Sequence, residues 1–561
     1  MAVNPSIQLG TDGNWAIKED NLLAYKKLGS RFFNREFDFS RGTTATFVGE
    51  NGLIQESFLT GTELVTNGDF ATDSDWTKGS GVTISDGEAL ITVTNGGYQS
   101  LGQSVTYISG KSYTLTASVN GTIGKGCTFF DASGNNGGLN TSNGVVTFNG
   151  EKQYISFDFI ANNNSNTVLI ARNGTGNYSF TIDNVSVKEI QLDVPRIDFT
   201  DDPTGHLLLE PQSTNLITSS EDFSSWSIDD VTIQSDSSTS PDGNTKATLI
   251  KGNTNSSRHH IRKTLSGTVD ASYSIFAKAK ELRYLQIASI NTTNQYVNFD
   301  LQDGLVGTVG SDFSNAKIEK FGSGWYRLSV TSDSRYNSFY ISLVSGTNAN
   351  WLESWVMSNN TDGMYIWGSQ LEQLSYPTSY IPTSGSTVTR NQEICDNSGT
   401  ASDFNSEEGV IYAEIAALAN DGTFRQLTLS DNSTSNRVSI DFTSTDNQIR
   451  SFSSSGGSTV ANMTSTVSDA NQFNKVAVKY KLNDYALWIN GVEVATDTNA
   501  NVPIGLNELS FDNGGGSNDF YGKTKNIQVF KRALTDAELY LLTVTQYESY
   551  QEMATALNYT L

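Results

Sequence analysis

VPRIDFTDDPTGHLLLEPQSTNL, Val194 to Leu216, is the stretch whose reading decides the fold. It reads as a short apolar strand over 195–199, a turn carrying Pro203 and Gly205, and a second strand, Leu207–Leu209. Pro and Gly this close together mark a chain reversal, and the runs on either side are too short for helices. A matching half lies far upstream, in FDFSRGTTATF (Phe37–Phe47) and Asn51-Gly-Leu-Ile54. Strands this short recur along the chain, separated by polar turns, and they predict an all-β protein built of tandem antiparallel sandwiches.

Composition sets the outer bounds. At 561 residues, three or four domains are expected. The chain carries 36 Lys and Arg against 60 Asp and Glu, a net charge of −24, which excludes a basic nucleic-acid face and disfavours anionic lipid. Only 17% of residues are charged while 11% are aromatic, the profile of many short strands rather than of disorder. Cys127 and Cys395 fall in different expected domains, so no disulfide is expected. The opening MAVNPSIQLG has no basic-then-apolar leader pattern, and no apolar run reaches about 18 residues, so no signal peptide or membrane span is expected.

The two halves around Phe37–Ile54 and Val194–Leu216 together resemble a segment of tailed-bacteriophage structural proteins. The residues that carry the likeness are Arg41 to Phe47, the Asn51–Ile54 turn, Pro195-Arg-Ile-Asp198, and the Gly205–Pro211 strand ending in Thr214-Asn-Leu216. In that family the halves sit close together; here about 140 residues separate them, which implies a domain inserted into a small β module. Phe321–Val330 and Tyr376–Pro382 also resemble phage fibre sequences. The resemblance implies a virion fibre or spike subunit, usually a homotrimer, docking to other virion proteins through its N-terminal region.

Six segments follow. Residues 1–60 hold the docking segment, with a short helix expected over Asp20–Lys27, and the first half of the split module. Residues 61–190 form the inserted domain, which resembles jelly-roll carbohydrate-binding modules in its Leu64–Phe70 opening, Trp76 and Phe180–Val187 close. Residues 191–215 complete the split module. Residues 216–390 repeat the jelly-roll plan: Trp226 follows Trp76 by 150 positions and Ser272 follows Ser112 by 160, so the second copy has longer loops. Residues 391–534 are another antiparallel sandwich, with Asn490-Gly491 as a hairpin turn. Tyr485–Val494 and Ile527–Leu539 there resemble concanavalin and laminin-G-like domains. Residues 535–561 form a C-terminal helix that opens on a capping box, Thr535 to Glu538, and carries Tyr547, Tyr550 and Met553 on one face, for packing or subunit contact.

Catalytic patterns are missing. The strand signature Glu-x-Asp-x-x-Glu of concanavalin-type glycosidases is absent, Glu407, Glu408 and Glu414 lack its spacing, and no zinc, P-loop or serine-hydrolase motif occurs. The chain is therefore read as no enzyme. Asn67, Asp69 and Asp183 resemble the hard-oxygen set with which such sandwiches hold a structural calcium ion; the alternative is that they are turn residues. Arg258-His-His-Ile-Arg262 is either a contact for anionic sugar or an exposed strand edge. Trp351 and Trp355, four apart in an amide-rich loop, are the glycan-binding candidates, either as one sugar platform or as cover for their own sandwich. The expected function is recognition of host-surface polysaccharide by a virion attachment protein; the rivals are a ligand-free capsid or tail decoration protein and a capsule depolymerase.

Overall fold

Alternation of apolar and polar residues at period two places one face of each strand in a core. In Glu88–Val93 the buried side chains are Ala89, Ile91 and Val93 while Glu88, Leu90 and Thr92 face outward. The computed structural model describes residues 7–9, 16–18, 21–28, 31–94, 99–130, 144–161, 167–200, 202–289 and 293–544. Among them the chain is all-β, with a single α-helix, Asp536–Thr543. Contacts divide it into two compact units: residues 58–192, and residues 1–57 with 193–561.

The 58–192 unit is a two-sheet sandwich. One sheet runs in the order Val82–Ser85, Glu88–Val93, Tyr178–Gln191, Ser112–Gly121 and Gln153–Ile160, with Leu59–Glu63 also on Tyr178–Gln191. The other runs Val145–Thr147, Gly126–Phe130, Val168–Asn173, Ser100–Gln103 and Thr77–Lys78. Phe70, Trp76, Leu115, Phe129, Phe180 and Val187 share the core between them. The entering strand, Leu59–Glu63, pairs with the leaving one, Tyr178–Gln191, so the unit closes on itself.

In the other unit, the second jelly roll (216–390) is organised by two long strands, His259–Ala279 and Trp325–Leu343. Their outer halves pair as His259–Thr264 with Ser338–Leu343, and their inner halves as Ala271–Lys278 with Trp325–Ser332. Each thus serves two stretches of the sandwich. The closing strand Gly363–Glu372 lies against the inner half of His259–Ala279. The C-terminal sandwich opposes Gly522–Phe530, Glu408–Ala417, Asn474–Lys481, Tyr485–Ile489 and Val492–Asp497 to a second sheet running from Ser458–Thr466 to Glu508–Ser510. Asn490 and Gly491 both have positive φ, the turn that matches strand twist.

Residues 21–28 correct one expectation. Asn21–Leu28 is a strand, not a helix, paired with Ile7–Leu9, Ala16–Lys18 and Arg31–Glu36. Ile7–Leu9 in turn extends the C-terminal sandwich along Gly522–Phe530. An eight-residue helix is marginal alone, whereas ladders with Ile7–Leu9, Ala16–Lys18 and Arg31–Glu36 give this segment's backbone its hydrogen bonds. Only two residues separate the paired Leu28 and Arg31, a hairpin spacing that the helical reading overlooked. The C-terminal helix ends at Thr543, where Val544 turns extended (φ −67°, ψ 141°), so it does not run unbroken from 535 to 561 as expected; residues 545–561, with Tyr547, Tyr550 and Met553, lie outside the described residues.

The split module belongs to the larger unit. Thr46–Val48 pairs with Ile54–Glu56, and Arg196–Asp198 with His206–Leu209, which also edges Gly522–Phe530. The halves join each other less by a ladder than by side chains. The Phe199 N–H donates to Val48 O at 3.0 Å, and Asp198 Oδ2 accepts from the Val48 N–H at 2.8 Å. Gly205 turns the chain at φ +76°, and a Cβ there would meet Ile197 and the Phe199 ring within 3 Å. Asn215, fully buried, donates to Ile381 O and Ser369 O and accepts from the Ile217 and Leu371 N–H groups.

A buried ion network binds the module. Arg41 and Arg196 both reach Glu393, Arg41 Nη1 at 2.8 Å, while Arg196 and Arg390 both reach Glu210, at 2.9 and 2.6 Å. Remaining guanidinium N–H groups donate to carbonyls of Thr46, Ser57, Val194 and Pro211. Charges this deep persist only when paired and hydrogen-bonded. Arg196 and Arg390 hold the Glu210 carboxyl down to about 2 against the upward push of burial.

Candidate functional site

On the outer half of His259–Ala279, Ile261 enters the core while Arg258, His260 and Arg262 take the opposite side. Tyr340 pairs with Arg262 across the ladder; the Arg262 guanidinium lies 5.7 Å from its ring centroid and donates from Nη1 to its hydroxyl at 3.3 Å. The His260 ring centroid is 4.9 Å from that of Tyr340. Burial lowers the His260 pKa to about 4, with Arg258 and Arg262 adding to the effect against Asp229, so the imidazole is neutral near pH 7.

Trp351 is held beside this row by a polar rope. Gln286 and Asn298, both fully buried, hydrogen-bond each other at 2.7 Å and take up the loop backbone. Gln286 donates to Asn350 O and accepts from the Leu352 N–H; Asn298 donates to Thr347 O and Ala349 O. Trp351 Nε1 donates to Ser289 O at 2.8 Å, its ring packs with Ala288, Tyr340 and Leu352, and the Arg258 guanidinium sits 5.0 Å over its face.

Trp355 goes elsewhere. Its backbone bridges Ser257, Nε1 donates to Leu343 O at 3.0 Å, and its ring packs on the main core of the sandwich. The segment is neither helix nor strand, so the spacing of four does not align the rings, and the two tryptophans join different clusters. Both are half-buried.

In the 58–192 unit, Asn67 organises a turn. At φ +53° its amide donates to Thr72 O and Ser74 O, its Oδ1 accepts from the Thr72 N–H, and its carbonyl accepts from Trp76 Nε1 at 3.0 Å. Asp69 Oδ1 accepts from the Ala71 N–H at 3.4 Å, and Asp183 meets Lys152 at 3.3 Å and Asn184 at 2.7 Å. Among the described residues no group of three or more His, Cys, Asp or Glu is arranged to hold a metal. In the second sandwich Asp222 makes the corresponding turn with the Ser224 N–H, and Trp367 is buried against Phe276 and Tyr380.

A cleft of about 380 Å³ opens at the split module, lined by Phe47, Phe321, Tyr376 and Phe473 with Lys317 and Glu319 on its walls. Sequence reading missed it, because its walls come from segments between 46 and 523, several of them singled out as motifs, that only folding brings together.

Residues 400–540 match the concanavalin A-like lectin/glucanase superfamily. No curated protein sequence matches the chain. Among solved structures, the carbohydrate-binding module of the Ruminococcus gnavus IT-sialidase bound to α2,3-sialyllactose is similar at 18% identity, over 26% of this chain and 93% of that one, with a TM-score of 0.23. The tandem CBM22 domains of Paenibacillus barcinonensis Xyn10C give 11% identity, 55% and 97% coverage and a TM-score of 0.20. Mouse laminin α1 LG4-5 gives 11%, 50% and 90%, with 0.18. Superpositions this loose carry no argument about ligand or activity.

Proposed function

We propose that this chain is a glycan-recognising attachment subunit of a bacteriophage particle, exposed on the virion and working without catalysis. The observation that carries the glycan reading is the match of residues 400–540 to a lectin and glucanase superfamily. The phage reading rests on the motif residues Arg41, Arg196 and Glu210, which supply three of the charges in the buried network. In this reading the N-terminal region docks to other virion proteins, and a homotrimer multiplies individually weak sugar contacts. A calcium ion on Asn67, Asp69 and Asp183 belongs to the same proposal; chelator then lowers the melting temperature of the 58–192 unit.

Host-surface polysaccharide is the test substrate. Co-sedimentation with the purified chain, without growth of reducing ends, supports the proposal. Release of reducing sugar replaces it with a depolymerase, and absence of binding leaves a decoration protein. Light scattering that returns a stable monomer at micromolar concentration overturns the trimer.

A further inference from the structure

We infer that the face bearing Arg258, Arg262 and Trp351 on the second sandwich binds carboxylate-bearing saccharides. The inference rests on the glycan reading and specifies its ligand class.

Three observations carry it. Acids outnumber bases 60 to 36, and Arg283, Arg390, Arg425 and Arg450 each hold a carboxylate. Arg258 and Arg262 hold none among the described residues; their partners are the faces of Trp351 and Tyr340. Stacking orders both guanidinium groups; the in-plane N–H fork of Arg258 is left for an anion, the geometry that suits a carboxylate, while Arg262 spends Nη1 on the Tyr340 hydroxyl and offers Nη2. The second observation is support beneath the arginines. Trp351 is tied through Nε1 to Ser289 O, and its loop is roped to buried Gln286 and Asn298, so the ordering cost is met before a ligand arrives.

The third is an orphan polar group. His260 lies between the two arginines on the strand, only 7% exposed, and its Nδ1 has no hydrogen-bond partner. Arg262 Nε is likewise buried and unpartnered. A saccharide laid along the strand passes over this row and meets the N–H groups of the two arginines. Residues 258 and 262 are four apart on an extended chain, about 13 Å, a spacing for two acids of one saccharide chain rather than for one ion.

Affinity electrophoresis of the full chain, at about 0.15 M salt with chelator present, tests this against three polymers. Hyaluronate carries carboxylates only, dextran sulfate sulfates only, and dextran no charge. At that salt the field of a net charge of −24 is screened beyond about 8 Å, so retention reports the local face. The expected result is retention by hyaluronate at least tenfold stronger than by the other two. The double variant Arg258→Gln, Arg262→Gln should lose it with an unchanged melting temperature. Trp351→Ala should weaken it by freeing Arg258, and Arg258→Lys should not restore it fully, since a point charge lacks the fork. Equal retention by dextran sulfate, or a double variant that binds hyaluronate normally, overturns the inference. If hyaluronate is not retained while host polysaccharide still is, the ligand class falls and the glycan reading stands.

Discussion

Arg196 is fully buried, and its guanidinium reaches both Glu393 and Glu210, carried by stretches on opposite sides of the second sandwich. Removing it leaves Glu393 to Arg41 and Glu210 to Arg390, with buried hydrogen bonds lost on both carboxylates, so Arg196→Met is expected to cost about 1–3 kcal/mol, read as a shift of the urea midpoint. Glu210 is lowered to about 2, below its unfolded value, so its stabilising contribution is present above pH about 4.5 and lost as pH falls through about 2. Asp396 has the opposite sign. It lies directly across the ladder from Asp38, and burial, with Asp512, Asp38 and Asp519, raises it to about 6. Its contribution is full below about pH 4 and lost as pH rises through about 6, so Asp396→Asn should raise the melting temperature at pH 7 and flatten its decline over that window. The motif made Arg41, Arg196 and Glu210 visible in sequence. Arg390 and Glu393 carried no such signal, because only folding brings them to the same point.

Elements were legible where local chemistry is self-sufficient. Thr535 caps Asp536–Thr543 in a reciprocal box with Glu538, and Leu539 anchors the helix in a small core with Trp488 and Phe530. Thr535→Ala should cost about 1 kcal/mol, seen as faster hydrogen exchange of the Glu538 and Leu539 amides. The Asn490-Gly491 turn was readable for the same reason: two residues with φ > 0 suffice to define it. Asn21–Leu28 was not, since its state is set by pairing with Ile7–Leu9, Ala16–Lys18 and Arg31–Glu36 rather than by its own residues. The segment around Trp351 and Trp355 shows the same limit. Its path follows from buried Gln286 and Asn298, which draw each turn of backbone onto the sheet, and no residue spacing reports that.

At the scale of the molecule, residues 58–192 form their own unit, and the chain leaves and re-enters the remainder at neighbouring points: Ser57 Oγ donates to Val194 O at 2.6 Å, and the Arg41 N–H to Asp193 at 2.6 Å. Replacing 58–192 by a short Gly-Ser linker should therefore leave a folded remainder with its own unfolding transition; insoluble product, or loss of the Arg196-dependent stability, would count against it. The sequence by itself determined the strand content, the turn and cap residues and the absence of recognisable catalytic motifs, because period-two burial and φ > 0 preferences act over a few residues. Tertiary structure alone decided which strands pair, which arginines find carboxylates and which stay stacked and unpaired, and where Trp351 and Trp355 part company. Those outcomes depend on burial and on groups up to about 350 residues apart, as Arg41 and Glu393 are, and no local pattern encodes a distance of that kind.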